Sequence, residues 1–143
     1  MDWSGICTNQ LSDKGLFENE DHEERFREAV ACYEKCPFFT SGLCKCLYLA
    51  SWDMEHFMMI LETLNGIVAR HEKSLKDMRI TGEQMAEEMS GEEKYIMKLS
   101  VAFLKGSSYW IKDTSGISEE TMHIINQALK ASILIDQIEE EFR

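Results

Sequence analysis

The residues of this chain best suited to chemistry are five cysteines and four histidines. Cys32, Cys36, Cys44 and Cys46 place four thiols within fifteen residues, enough in number for a tetrahedral zinc site. Their spacing is not a usual zinc pattern. Cys32 and Cys36 can share a helix face, whereas Cys44 and Cys46 on a helix point about 200° apart. Free cysteine is a common core residue, so these thiols read first as buried side chains and only secondarily as metal ligands. No cofactor is expected. An odd number of cysteines suits a reducing compartment better than a disulfide framework.

The histidines, His22, His56, His71 and His123, are scattered along the chain. They form no His-Glu-x-x-His and no paired Glu-x-x-His di-metal pattern. No nucleophile elbow, Walker loop or dinucleotide fingerprint occurs. A Cys-His pair that meets only in space would leave no mark in the sequence.

Carboxylates are the stronger signal. The chain has 26 acidic and 15 basic residues, for a formal net charge of −11. Such a field repels nucleic acid and anionic membranes and favours basic partners. Glu20, Glu24 and Glu28 step by four, one carboxylate per ~6 Å of helix axis. Glu83, Glu87, Glu88, Glu92 and Glu93 follow with no cation among them, and Asp136, Glu139, Glu140 and Glu141 lie near the C-terminus. Converging stripes of this kind can imitate a nucleic-acid backbone, which carries one charge per ~3.4 Å along each strand. The commoner meaning of such runs is a solvated helix face, and acids in a first turn also complement the helix dipole. The one basic stretch, Arg70, Lys73, Lys76 and Arg79, has no aromatic interleaving and is too slight for nucleic-acid binding.

The elements that must position these residues are helical throughout. The length of 143 residues suits one domain, and a single proline argues against the turn punctuation of an all-β fold. Residues 1–16 show no period and read as an irregular lead-in from which Trp3, Cys7 and Leu16 can pack onto the body. Asn19 caps a first helix with His22, Phe26, Ala29, Val30 and Tyr33 on its apolar face, ended by Pro37. Thr40 or Ser41 opens a second over 42–51. A third turns Met54, Phe57, Met58, Leu61 and Leu64 inward and stops at Asn65-Gly66. Residues 67–80 form a basic helix, and Thr81 caps a short acidic one. Ser90-Gly91-Glu92-Glu93 reads as a capping box for a helix to about Lys105, apolar almost all round. Ser118 caps the last helix, whose Ile124, Ala128, Ala131, Ile135, Ile138 and Phe142 make a heptad-like seam suited to a homodimer. Ile125, Leu129 and Ile133 add a second stripe.

Two stretches carry a family resemblance. One is Leu16-Phe17-Glu18-Asn19-Glu20-Asp21-His22-Glu23-Glu24-Arg25-Phe26, followed by Cys46-Leu47-Tyr48-Leu49-Ala50. The other is Met89-Ser90-Gly91, then Lys98-Leu99-Ser100-Val101-Ala102-Phe103-Leu104. Together they resemble an uncharacterised family of small proteins from Firmicutes and their mobile elements, which opens with F-x-N-x-x-H-x-x-R-F. Met89 and Ser90 stand where that family has tryptophan and threonine. The resemblance implies a helical fold and a mobile-element source, and no chemistry.

The expectation is therefore an all-α domain of five to seven helices over 17–143, orthogonal or bundle-like, with the 91–105 and 118–142 helices at its core. The opening MDWSGICTNQ lacks the pattern of a secretory signal, and the longest apolar run, Phe57–Leu61, is far short of a membrane span, so a cytoplasmic protein is expected. The expected function is a non-enzymatic protein-binding module. A mobile-element source makes it an anti-defence inhibitor, of the anti-CRISPR kind, presenting Glu20, Glu24, Glu28, Glu83, Glu87, Glu88, Glu92, Glu93, Glu139 and Glu140 to a basic partner. The alternatives are a zinc-binding or metal-dependent protein built on the 32–46 cysteines and a helical homodimer.

Overall fold

A computed structural model describes residues 2–36, 39–69, 91–106 and 116–141. These form six helices and no strand, an all-α fold: α1 Trp3–Asp13, α2 Glu20–Tyr33, α3 Ser41–Ala50, α4 Met54–Ala69, α5 Glu92–Lys105 and α6 Glu119–Glu141. Residues 70–80 of the basic helix expected over 67–80, the acidic helix with Glu83, Glu87 and Glu88, and Phe142 lie outside the described residues. So does Ser90 of the expected capping box. No described helix is long and apolar enough to cross a membrane.

The lead-in is not irregular. Asp2 caps α1 by accepting from the Gly5 N–H at 3.0 Å. Trp3, Cys7 and Leu11 then recur every fourth residue, and Cys7 and Leu11 are buried. The polar residues and Gly5 between them hide this short stripe. Gly15, at φ 66°, turns the chain, and Leu16 returns to the core.

The Asn19 cap of α2 forms as expected, its side chain accepting from the His22 N–H at 2.8 Å. His22, Phe26, Ala29 and Val30 are buried along the inner face.

The centre of the fold is α3. Eight of its ten residues are buried, and α2, α4, α5 and α6 all pack on it. The expected core helices α5 and α6 are well buried too, but each packs chiefly on α3. Contact with α5 is close. A Cβ on Gly42 would lie 2.4 Å from the Phe103 carbonyl oxygen, so only glycine permits this approach. The Cys46 thiol donates to the Ser100 carbonyl at 2.9 Å across the same seam. On the α6 side, Lys45 Nζ meets the Asp136 carboxylate at 2.7 Å.

In α4 the inward face differs from expectation. Met54 and Met58 are 58% and 55% exposed, while His56 and Ile60 are buried. Asp53 fixes this rotation. Its carboxylate accepts from the His56 N–H at 2.8 Å and meets Nδ1 at 2.7 Å, and the His56 ring lies 4.5 Å from that of Trp52. The helix also continues through Asn65-Gly66 to Ala69.

Gly91, at φ 70°, is the N-cap of α5 and supplies no side-chain hydrogen bond. Gly106 closes α5 in the left-handed conformation, just after the expected end at about Lys105. Ser118 caps α6, accepting from the Thr121 N–H at 3.2 Å. The expected dimer seam is spent within one chain: Ile124, Ala128, Ala131, Ile135 and Ile138 are at most 1% exposed. Burial against α3 and α1 leaves no surface there for a second copy. Leu129 and Ile133 of the second stripe are the exposed apolar residues of α6.

Candidate functional site

Among the described residues, the densest polar cluster joins the start of α2 to the end of α3. His22 is fully buried. Its Nδ1 accepts from the Glu18 N–H at 3.1 Å, so Nε2 carries the ring proton and donates to the Tyr48 carbonyl at 3.0 Å. Burial, the dominant influence, lowers the His22 pKa to about 4. The Tyr48 hydroxyl donates to the Leu16 carbonyl, and burial pushes the phenol well above its ordinary pKa.

Arg25 completes the junction. Its Nε and one terminal nitrogen donate to the Ser51 and Trp52 carbonyls at 2.9 and 3.1 Å. Carbonyls at a helix end lack intrahelical donors, and the guanidinium fork supplies two at once. Phe17 packs on His22, Phe26 and Tyr48 with ring centroids 5.0–5.9 Å apart. Phe17, Asn19, His22, Arg25 and Phe26, the fixed positions of the opening motif, thus form one clamp on the end of α3. Among the described residues, the hydrogen bonds of these side chains run to backbone groups.

Three histidines that are remote in sequence come to this end of the molecule. His123 Nε2 lies 2.9 Å from the Glu18 carboxylate. His56 is close enough to Glu92 to favour its ionised form. Glu92 itself accepts from the Ser118 N–H, from the Ser118 hydroxyl at 3.3 Å and from the Thr121 hydroxyl at 3.1 Å. The Ser118 N–H, foremost among these, lowers the Glu92 pKa. These links gather the N-termini of α2, α4, α5 and α6 at one pole.

The pole is rich in first-turn acids. Glu20, Asp21, Glu55, Glu93, Glu119 and Glu120 are all exposed there. From it Glu24 and Glu28 continue down α2 on the exposed face. Glu20, Glu24 and Glu28 make no ion pair among the described residues, whereas Glu23 pairs with Arg27 at 3.8 Å. Glu92, by contrast, is half-buried and its carboxylate is turned to Ser118 and Thr121 at the start of α6. Glu139 is half-buried and Glu140 exposed, twenty residues along α6 from Glu119 and Glu120 and so about 30 Å from the pole. Glu83, Glu87 and Glu88 lie outside the described residues.

The cysteines are placed apart in character. Cys44 and Cys46 are buried, Cys36 is half-buried and Cys32 is exposed on α2. Contact with the Cys7 thiol, then burial, raises the Cys44 pKa, and burial raises that of Cys46. Among the described residues no group of three or more histidine, cysteine or acidic side chains is arranged to hold a metal ion. Comparisons with protein-family models, curated proteins and solved structures return no match to this chain.

Proposed function

We propose that this chain is a non-enzymatic protein-binding module acting in the cytoplasm. Its carboxylates engage a basic partner in place of nucleic acid, as in an anti-defence inhibitor of the anti-CRISPR kind. One observation carries the reading: the exposed Glu20–Glu24–Glu28 stripe, without an ion pair among the described residues, runs into a pole bearing Glu93, Glu119 and Glu120. Such a surface speeds encounter with a basic groove through long-range attraction. The mobile-element part of the reading rests on the resemblance of the opening motif.

The test is a pull-down from bacterial host lysate with the wild-type chain and with a Glu20→Lys, Glu24→Lys, Glu28→Lys variant. The expected result is a partner retained at low salt by wild type, lost at high salt and lost in the variant. Capture unchanged at high salt sinks the charge-mimic reading, because attraction between exposed charges is screened within ~10 Å at 0.1 M salt and ~3 Å at 1 M.

A further inference from the structure

Against the acidic background, one surface pocket is lined by cations. It has a volume of about 380 Å³ and is bounded by Gly91, Lys94, Tyr95 and Lys98 at the start of α5 and by Gly116 before α6. That volume lies within the ~300–1,000 Å³ range of small-molecule sites. Lys94 and Lys98 stand one turn apart on the same helix face, where like charges repel. Neither makes an ion pair among the described residues, and both are half-buried, as is Tyr95. Among the described residues no carboxylate lines the pocket. Glu92 is committed to Ser118 and Thr121, and Glu93 stands at the Gly91 edge, its Oε2 3.7 Å from where a Cβ would be.

We propose that this pocket binds a small phosphorylated molecule, with Lys94 and Lys98 holding the phosphate oxygens and Tyr95 offering its hydroxyl as a further donor. Lysine ammoniums are compact charges well suited to phosphate. An anion between them converts their mutual repulsion into two attractions. The two glycines at the rim leave room for a ligand to approach the backbone. The site is separate from the α2 stripe, so it stands or falls independently of the partner proposed above.

Calorimetric titration with inorganic pyrophosphate, at ionic strength matched with sodium chloride, tests it. Wild type is expected to bind with Kd below about 1 mM and to unfold at a higher temperature with the ligand present. Lys94→Gln and Lys98→Gln are each expected to weaken binding about tenfold, as loss of a charge-assisted contact does. Lys94→Arg and Lys98→Arg keep the charge and are expected to retain binding, which separates site loss from misfolding. Glu93→Gln removes a neighbouring negative charge and is expected to tighten binding. No heat and no thermal shift at millimolar pyrophosphate would overturn the proposal. So would equal binding by a Lys94→Gln, Lys98→Gln double variant whose helical circular dichroism matches wild type.

Discussion

The His22 imidazole donates from Nε2 to the Tyr48 carbonyl at 3.0 Å while its Nδ1 accepts from the Glu18 N–H. Both ring nitrogens are therefore committed in the neutral tautomer. A second proton would have to enter at Nδ1, where a donor already points, and would do so in a fully buried site.

This makes stability fall with acidity through a defined window. The folded pKa of about 4 lies below the ordinary histidine value of 6.5, so the unfolded chain binds the proton more readily. The contribution is complete above about pH 6.5, declines as pH falls towards 4 and is gone below that. It amounts to about 3 kcal/mol at ~1.4 kcal/mol per pKa unit. Urea unfolding at pH 7 and at pH 4.5 should show the loss. His22→Gln should be less stable at pH 7 but flatter with pH; an identical slope in the variant would exclude His22 as the cause.

Arg25 should behave as a structural anchor. Arg25→Ala leaves the Ser51 and Trp52 carbonyls without their donors, at a cost of about 3 kcal/mol. Arg25→Lys should recover only part of this, since one ammonium cannot reproduce the planar fork. Denaturation midpoints of the two variants check both statements.

Gly42→Ala should be costly for steric reasons alone. The added Cβ would meet the Phe103 carbonyl at 2.4 Å, and two helix backbones would have to separate. Overpacking of this kind costs about 1–3 kcal/mol, and here the neighbour is backbone, so the upper end applies. Thermal unfolding measures it; an unchanged midpoint would mean α3 and α5 are not this close.

Thiol labelling should divide the cysteines sharply. Cys32 and Cys36 should react with an aromatic disulfide reagent in the folded protein, while Cys7, Cys44 and Cys46 should react only after unfolding. Rapid labelling of all five in native buffer would contradict the burial of α3.

Ile135→Ala separates a core role from an interface role. Ile135 is fully buried, so its truncation should cost about 2–5 kcal/mol. Light scattering across a dilution series should give the same molecular mass for variant and wild type. A mass change caused by the variant would restore the α6 seam as a dimer contact.

Features set by neighbouring residues were legible in the sequence. Asn19 with its following acids, Gly106 after an apolar run and Ser118 before a long periodic stretch each mark a helix end through local chemistry. The placing of α3 was not legible, because seven of its ten residues are apolar, which signals burial without showing which helices cover it. The α4 face was misread for a related reason. Methionine outranks histidine on hydrophobicity, yet Asp53 and Trp52 hold His56 inward and turn Met54 and Met58 out. At the site, the acidic stripe of α2 could be read directly from a spacing of four. The gathering of four helix starts at one pole could not, since it depends on contacts such as Glu18–His123. The lysine pocket was equally hidden, because Gly116 joins Lys94 and Lys98 only through the fold.

The central position of α3 bears on how the chain is made. Its partners arrive late: Cys46 meets a carbonyl 54 residues further on, and Lys45 waits for a carboxylate on the last helix. While the chain emerges from the ribosome, α1, α2 and α3 can join through the His22 and Arg25 clamp before α5 exists. Throughout that interval the other faces of α3 lie open to water. A nascent chain halted before α5 would carry a sticky, half-clad helix, the kind of species that aggregates or recruits a chaperone. Those faces of α3 are covered only once α5 and α6 have docked on it.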